Sequence, residues 1–508
     1  MEIEFSRLKK WLSDPGNLIL PAILLLAAML RFWNFPFRNP MDGDQSRDML
    51  VAISGARNWQ LPLTGPFSSA GPFTFGPWYY WFLIVSRIIV NNNFAPWIFM
   101  GLASVAMVYF LYKAGEAFVD RKLGLIAAFF AAVSSWQVAS GANMGNGLLV
   151  MPFAALTVWL FAKIINTKKP EGGLPFLFGL SLGITINMHY QALGLLPLWG
   201  LLFLAKLRDR RSLSFSLVGF FISFLPLLFF DLNNHWFTVR NVLDYYLIAQ
   251  YRIYLPNRWL FYLRDFWPEA VATVFGINKV LAGVVIGSFF ATTAYLIKSR
   301  QLTKTLTFLL IAFFLNFILL RYYRGERNVG YIFYLVPELY LFLALTVYGL
   351  WQNRRLKFLG LGLVILICFV NIPKLGSILQ KPPGDIVLSE MQDLSKQKPG
   401  NKFEVYYCKQ IYQVAAQKLA VYLEFNQLFG DTGTKVGYHK SDCLYPESSP
   451  HPTSEENSRL AEKFPAITSD LTDLSGASEK AILSAGWKPV TARDYYDLTV
   501  KWWYNEKP

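Results

Sequence analysis

Histidine and cysteine are scarce, with 4 and 3 copies in 508 residues. Three cysteines make no disulfide framework, and none forms a Cys-x-x-Cys pair. Cys368 lies inside an apolar run. Cys408 and Cys443 lie in a polar tail, where they pair in an oxidising compartment or stay as two free thiols. Charge is also sparse. Asp, Glu, Lys and Arg make up 16% of the chain, against about 25% in ordinary soluble domains. That shortage excludes a disordered chain and a coiled coil, and argues against a cytosolic enzyme. No P-loop, His-Glu-x-x-His or Gly-x-Ser-x-Gly motif occurs, so nothing supports a nucleotide-driven or zinc-hydrolase reading.

What is abundant is apolar and aromatic surface, at 54% and 17% of residues, with mean hydropathy +0.32. This composition fits a polytopic membrane protein with one extra domain. The net charge of +15 would suggest nucleic acid on a soluble surface. Here most Lys and Arg outside the tail punctuate apolar runs, so topology explains them and no nucleic-acid partner is expected.

A basic start (Arg7, Lys9, Lys10) precedes an apolar stretch from about Leu18 to Phe35. It reads as an uncleaved first helix with its N-terminus inside. Further runs lie at roughly 96–112, 123–140, 147–162, 174–188, 190–205, 213–230, 271–297, 305–320, 331–351 and 356–372. The segment 78–90 is also apolar, but short and interrupted by Arg87. If it does not cross, every short inside loop is basic: Lys113, Arg121 and Lys122; Lys163, Lys168 and Lys169; Lys206, Arg208, Arg210 and Arg211; Lys298, Arg300 and Lys304; Arg354, Arg355 and Lys357. If it crosses, all these loops move outside, against the positive-inside rule. The expectation is therefore 11 spans. Residues 78–90 then form an interfacial helix whose Tyr79, Tyr80 and Trp81 suit that depth.

The expected fold class is mainly α: a transmembrane bundle over 1–372, with outside loops at 36–95 and 231–270, then a small extracytoplasmic α/β domain over 373–508. Strand-like Phe403–Tyr407 and helix-like Gln410–Leu428 patterns support that tail domain.

Four groups of chemistry-bearing residues fall on the outside in this topology. Asp42 and Asp44 follow the first span. A carboxylate beside a low-dielectric wall suits a general base, and against this stands an idle acidic turn hinged at Gly43. The same pair has oxygen donors for a divalent cation, but no set of metal ligands accompanies them. Gly71–Phe82 is aromatic: Trp78, Tyr79 and Tyr80 line a lipid or sugar groove, or form an interfacial belt. Asn143 and Asn146 follow the third span, and His189 and Gln191 mark a tight turn between the fifth and sixth; polar groups at such edges are costly. Asp231, Asn233 and His235 follow the seventh. Finally Arg321, Arg324 and Arg327 sit on one outside loop, against the charge trend. Arginine suits a phosphate, and ion pairing with Glu326 or lipid headgroups is the competing use.

The segments Asp44-Gln-Ser-Arg-Asp-Met, Gly76-Pro-Trp-Tyr-Tyr-Trp, Gly183-Ile-Thr-Ile-Asn-Met-His-Tyr, Pro226-Leu-Leu-Phe-Phe-Asp231 and Tyr331-Ile-Phe-Tyr-Leu-Val-Pro337 occur in order across most of 18–350. Together they resemble integral-membrane glycosyltransferases of the GT-C type, near the protein O-mannosyltransferases and the lipid A aminoarabinose transferases. The resemblance implies a sugar donor on a polyprenyl phosphate and a lipid, glycan or protein acceptor. It implies a first-loop Asp, Asp44 by position, as general base, and single displacement with inversion on the outer face of the cytoplasmic membrane. Stabilisation of the departing phosphate then falls to Arg324 and Arg327. The chain departs from the family at Gln45, where a second acid is common. It also departs at Phe75 and Gly76, near a Glu-Lys pair of the aminoarabinose transferases, and at Asn143 and Asn146, where relatives carry Arg and Asp. The sugar stays open. A lipid-linked-sugar flippase needs polar groups at mid-membrane, and a non-catalytic assembly protein would leave the acidic loop idle.

Overall fold

The computed structural model describes residues 15–35, 38, 43–68, 70–92, 94–248, 258–323 and 328–380, and the backbone of 402–407, 435–440, 468–470, 487–495 and 498–505. Two compact units emerge. One holds the described residues of Met1–Pro40 and Val51–Lys381, the other those of Met41–Leu50 and Pro382–Pro508.

The first unit is helical: α1 (Pro15–Phe32), α2 (Gly43–Asn58, whose first turns belong to the second unit), α3 (Trp78–Ile89), α4 (Ala95–Phe118), α5 (Arg121–Val133), α6 (Ser135–Gly141), α7 (Asn146–Asn166), α8 (Gly173–Met188), α9 (Leu196–Ala205), α10 (Arg210–Asn233), α11 (Phe237–Leu247), α12 (Arg258–Phe261), α13 (Trp267–Phe275), α14 (Lys279–Lys298), α15 (Lys304–Tyr322), α16 (Val336–Gln352) and α17 (Lys357–Leu379). Among the described residues seven helices are long and apolar enough to cross a membrane, or eight if α5 and α6, bent by 68°, form one span. The protein is a multi-pass membrane protein. The remaining apolar stretches expected to cross include α1, α8 and the 190–205 segment, which are shorter. Segment 78–90 is a helix, α3, with Tyr79, Tyr80, Leu83 and Ile84 on its buried face.

Two expected spans are broken. The 123–140 run bends at Ser134, whose hydroxyl accepts from Gln137 N and donates to Val274 O at 2.8 Å. The 271–297 run is divided at Gly276, which has φ +66°. A Cβ there would meet Asn371 Oδ1 at 2.2 Å, so glycine is required on both counts. Asn278 then caps α14 by accepting from Leu281 N at 2.8 Å. Average hydropathy hides both breaks, because Ser and Asn caps sit inside apolar runs.

The α5–α6 break orphans the last carbonyls of α5. Arg31, fully buried, answers them. Its guanidinium donates to Ala131 O at 3.0 Å, Ala132 O at 3.2 Å, Ala27 O at 3.2 Å and Ser104 Oγ at 2.8 Å. Helices α8 and α10 pack more tightly than any Cβ would allow: Gly179 and Gly183, four apart, face Ser216 and Ser223. Small residues at this spacing let backbones approach in lipid, where apolar contact alone does not drive association.

Glu338, in the first turn of α16, is fully buried, and neither carboxylate oxygen has a hydrogen-bond partner among the described residues. An unsatisfied buried polar group costs about 1–3 kcal/mol. Glu338→Leu should therefore raise the thermal midpoint, and an unchanged or lower midpoint would show that the carboxyl has a partner in the folded protein.

In the second unit, β1 (Lys402–Tyr407) pairs in parallel with β2 (Lys435–Lys440), with Phe403 opposite Val436. β5 (Leu498–Asn505) pairs antiparallel with both β3 (Thr468–Asp470) and β4 (Trp487–Tyr495). The strand expected at 403–407 lies within β1. The helix-like pattern at 410–428, Cys408 and Cys443 lie outside the described residues.

Candidate active site

In the first unit the loop before α3 is pinned by backbone bonds. Gly65 N donates to Phe75 O and Phe75 N to Pro66 O, while Gly76 N donates to Asn187 O at 2.8 Å. Tyr190 Oη, from the turn after α8, donates to Thr74 O at 2.7 Å. Thr74 also bonds Thr238 on α11 at 3.2 Å. Asp231 sets α11 in place: its buried carboxylate accepts from Thr238 N at 2.8 Å and Val239 N at 3.0 Å. This is capping at a helix N-terminus, where a negative charge is favoured.

These contacts close a ring of aromatic side chains. Phe75 stacks on His189 (4.9 Å) and packs on Tyr190 (5.2 Å). Phe73 touches Tyr190 (5.9 Å) and Tyr245 (5.4 Å). Tyr245 Oη bonds Tyr323 Oη. Tyr323 packs on Tyr331 (6.0 Å), and Tyr331 meets His189 edge-on (6.2 Å), completing the circuit. Phe73, Phe75, Tyr190 and Tyr245 are buried in it, while the half-buried His189, Tyr323 and Tyr331 combine aromatic faces with imidazole and phenolic hydrogen-bonding edges. That combination suits sugar C–H faces and hydroxyls.

Burial pushes the His189 imidazole down to about 4. Its Nδ1 accepts from Gln191 N at 3.4 Å, so the neutral ring carries its proton on Nε2. Burial pushes the Tyr246 phenol up to about 12, and burial followed by the bond to Tyr245 raises that of Tyr323. Near neutral pH these groups are uncharged donors and acceptors.

The His189 shift has a signed consequence. The unfolded imidazole takes a proton near pH 6.5, while the folded one resists until about 4. Stability is therefore full above about 6.5 and falls as pH drops through this window, by up to about 3 kcal/mol. His189→Gln should flatten that part of the melting-temperature profile between pH 6.5 and 4. An identical acid limb in the variant would refute the assignment.

The other expected site residues fall as follows. Asn146 Nδ2 donates to Met188 O at 2.9 Å, beside the His189 turn, and Asn143 Oδ1 accepts from Met144 N. Gln191 is half-buried next to His189. Trp78 Nε1 donates to Ser223 O at 2.7 Å, and Tyr79 and Tyr80 are buried in the bundle. Arg321 is half-buried, its guanidinium 4.9 Å from the Trp259 ring centre. Asp42, Arg324 and Arg327 lie outside the described residues.

Asp44 belongs to the second unit, in the first turn of α2. Its side chain is 78% exposed and pairs with Arg47 Nη1 at 2.9 Å. Arg47 also donates from Nε and Nη2 to buried Asp48, at 2.9 and 2.7 Å. This Asp44–Arg47–Asp48 cluster was not anticipated beyond Asp44, though the three-residue spacing of Asp44 and Arg47 on a helix signals that pair. Among the described residues no three of His, Cys, Asp and Glu converge as metal ligands.

A sequence profile of the dolichyl-phosphate-mannose-protein mannosyltransferase family matches residues 72–232. No curated protein matches the chain. Its fold is similar to that of ArnT from Cupriavidus metallidurans. The apo form is 10% identical with a TM-score of 0.60, and the form bound to undecaprenyl phosphate is 12% identical with 0.57. Each alignment covers 95% of this chain and 97% of that one. The oligosaccharyltransferase of Archaeoglobus fulgidus tethered with an acceptor peptide is 11% identical, with a TM-score of 0.50 over 92% of this chain and 68% of that one. The GT-C type fold expected from the motifs is thus the fold observed.

Proposed function

We propose that this protein transfers a sugar from a polyprenyl-phosphate donor to a lipid, glycan or protein acceptor on the outer face of the cytoplasmic membrane. The observation that carries this reading is the mannosyltransferase profile over 72–232. That stretch holds Phe73, Phe75, His189 and Tyr190, four of the seven members of the aromatic ring. The likeness to ArnT, whose bound form holds undecaprenyl phosphate, supports a donor of that chemical type.

In this reading the acceptor group gives its proton to Asp44 and attacks the anomeric carbon. The bond from that carbon to the phosphate oxygen breaks, and the lipid phosphate leaves with the electron pair, so the sugar inverts. Arginines of the 321–327 loop offset the charge that develops on the phosphate. Neutral His189 and the phenols hold the sugar without competing as bases. The N-terminus is then cytoplasmic and the residues beyond 373 are extracytoplasmic. The test is sugar release by purified protein from a panel of radiolabelled polyprenyl-phosphate sugars. Turnover of one donor supports the reading and names the sugar, while tight binding of one donor, transport across vesicles and no transfer would replace it with a flippase.

A further inference from the structure

A cleft of about 580 Å³ opens between α6, α13 and α17, lined among others by Trp136, Glu269, Asn278, Lys279 and Lys374. Its volume is in the range of small-molecule sites. We infer that this cleft is a second binding site, for the phosphate group of an anionic membrane lipid.

The argument begins with where the two lysines fall. Lys279 opens α14, whose other end leads into the basic segment Lys298–Lys304. Lys374 lies in the last two turns of α17, whose other end follows Arg354, Arg355 and Lys357. Both lysines thus occupy helix ends opposite the basic loops. The positive-inside pattern disfavours them there, so their presence on facing walls of one cleft asks for a use.

Their hydrogen-bonding leaves capacity for a ligand. Lys374 Nζ donates to Gly276 O at 2.8 Å and has no carboxylate partner among the described residues. An ammonium has three donors, so two remain. Lys279 pairs with Glu269 at 2.7 Å, but the two side chains are 61% and 51% exposed. Such an exposed pair is weak and readily exchanged. The three groups sum to one positive charge, and the N-terminal end of α14 adds a positive dipole.

The floor is rigid. Ser135 N donates to Asn371 Oδ1 at 2.7 Å, Asn371 Nδ2 donates to Phe275 O at 2.9 Å, and Gly276 cannot accept a Cβ. Apolar side chains line the cleft as well: Trp136, Ile277 and Ile378. An acyl chain can lie along these faces while its headgroup enters the cleft, with Trp136 at headgroup depth. The competing account is that the lysines merely extend toward water. It predicts no saturable preference for an anion.

The test titrates purified protein in detergent with dioctanoyl phosphatidylglycerol, dioctanoyl phosphatidylcholine and inorganic phosphate, reading the melting temperature. Phosphatidylglycerol should stabilise saturably with at least tenfold higher affinity than phosphatidylcholine. The preference should vanish in the double variant Lys279→Gln/Lys374→Gln and survive in Lys374→Arg. Lys279→Gln alone, at an exposed position, should melt like the parent without lipid and still lose part of the preference. Equal affinity for the two lipids, or an undiminished preference in the double variant, overturns the site. Competition by inorganic phosphate at equal concentration overturns the lipid as the source of the anion.

Discussion

Asp44→Asn is expected to lower the rate of sugar transfer by about 10²- to 10⁴-fold, the range of a lost general base, with little change in melting temperature. The substitution keeps the shape of the side chain and removes its ability to accept a proton. Its fold cost is small because Asp44 is 78% exposed and its pairing with Arg47 is a surface contact. Arg47 remains anchored after the change, by two hydrogen bonds to buried Asp48. A loss of activity would therefore report chemistry, not unfolding. The measurement is single-turnover release from whichever labelled donor the parent protein uses, beside the variant's thermal midpoint. Full activity in Asp44→Asn would remove it as the base and direct the same experiment to Asp42.

The helices were legible because each apolar run is bounded by loop chemistry that hydropathy sees. Asp120, Asp209, Asn278 and Thr303 each cap the helix that follows, by accepting from a backbone N–H. The breaks at Ser134 and Gly276 were not legible in the same way. One apolar run continues through each, and the partners that make the break affordable come from elsewhere in the chain: Arg31 and Asn371. The same holds for the site. His189 stood out as a polar residue at a membrane edge. Phe73, Phe75, Tyr245, Tyr323 and Tyr331 did not, since aromatics at such positions look alike in sequence, and only the fold brings four segments into one ring. Asp231 stood out with His189 but caps a helix. Position near a membrane edge marks polarity, and it takes three-dimensional contacts to separate a cap from a ligand.

Arg31→Leu is the substitution expected to harm folding most, by at least about 3 kcal/mol, because it strips charge-assisted bonds from several buried groups together. Three of its acceptors are backbone carbonyls on α1 and α5, and the fourth is Ser104 on α4. Ala131 and Ala132 have no onward helix to bond, since the chain turns by 68° at Ser134. Leucine fills part of the space and leaves both carbonyls bare in an apolar interior. Arg31→Lys should lose less, because it keeps the charge, but it cannot match the planar fork. Arg38 does not substitute for it: that side chain is committed to Leu30 O, Trp33 O and Val138 O. The consequence extends to function. The bend aims α6 so that Trp136 packs on Phe333 at 5.7 Å, in the segment that carries Tyr331 of the aromatic ring. A variant that folds with a straightened α5–α6 should therefore lose donor affinity as well as thermal stability. The two losses are read by a melting curve and by donor titration on the same sample. An unchanged midpoint in Arg31→Leu would mean that the carbonyls of α5 find other donors and that the bend does not depend on this arginine.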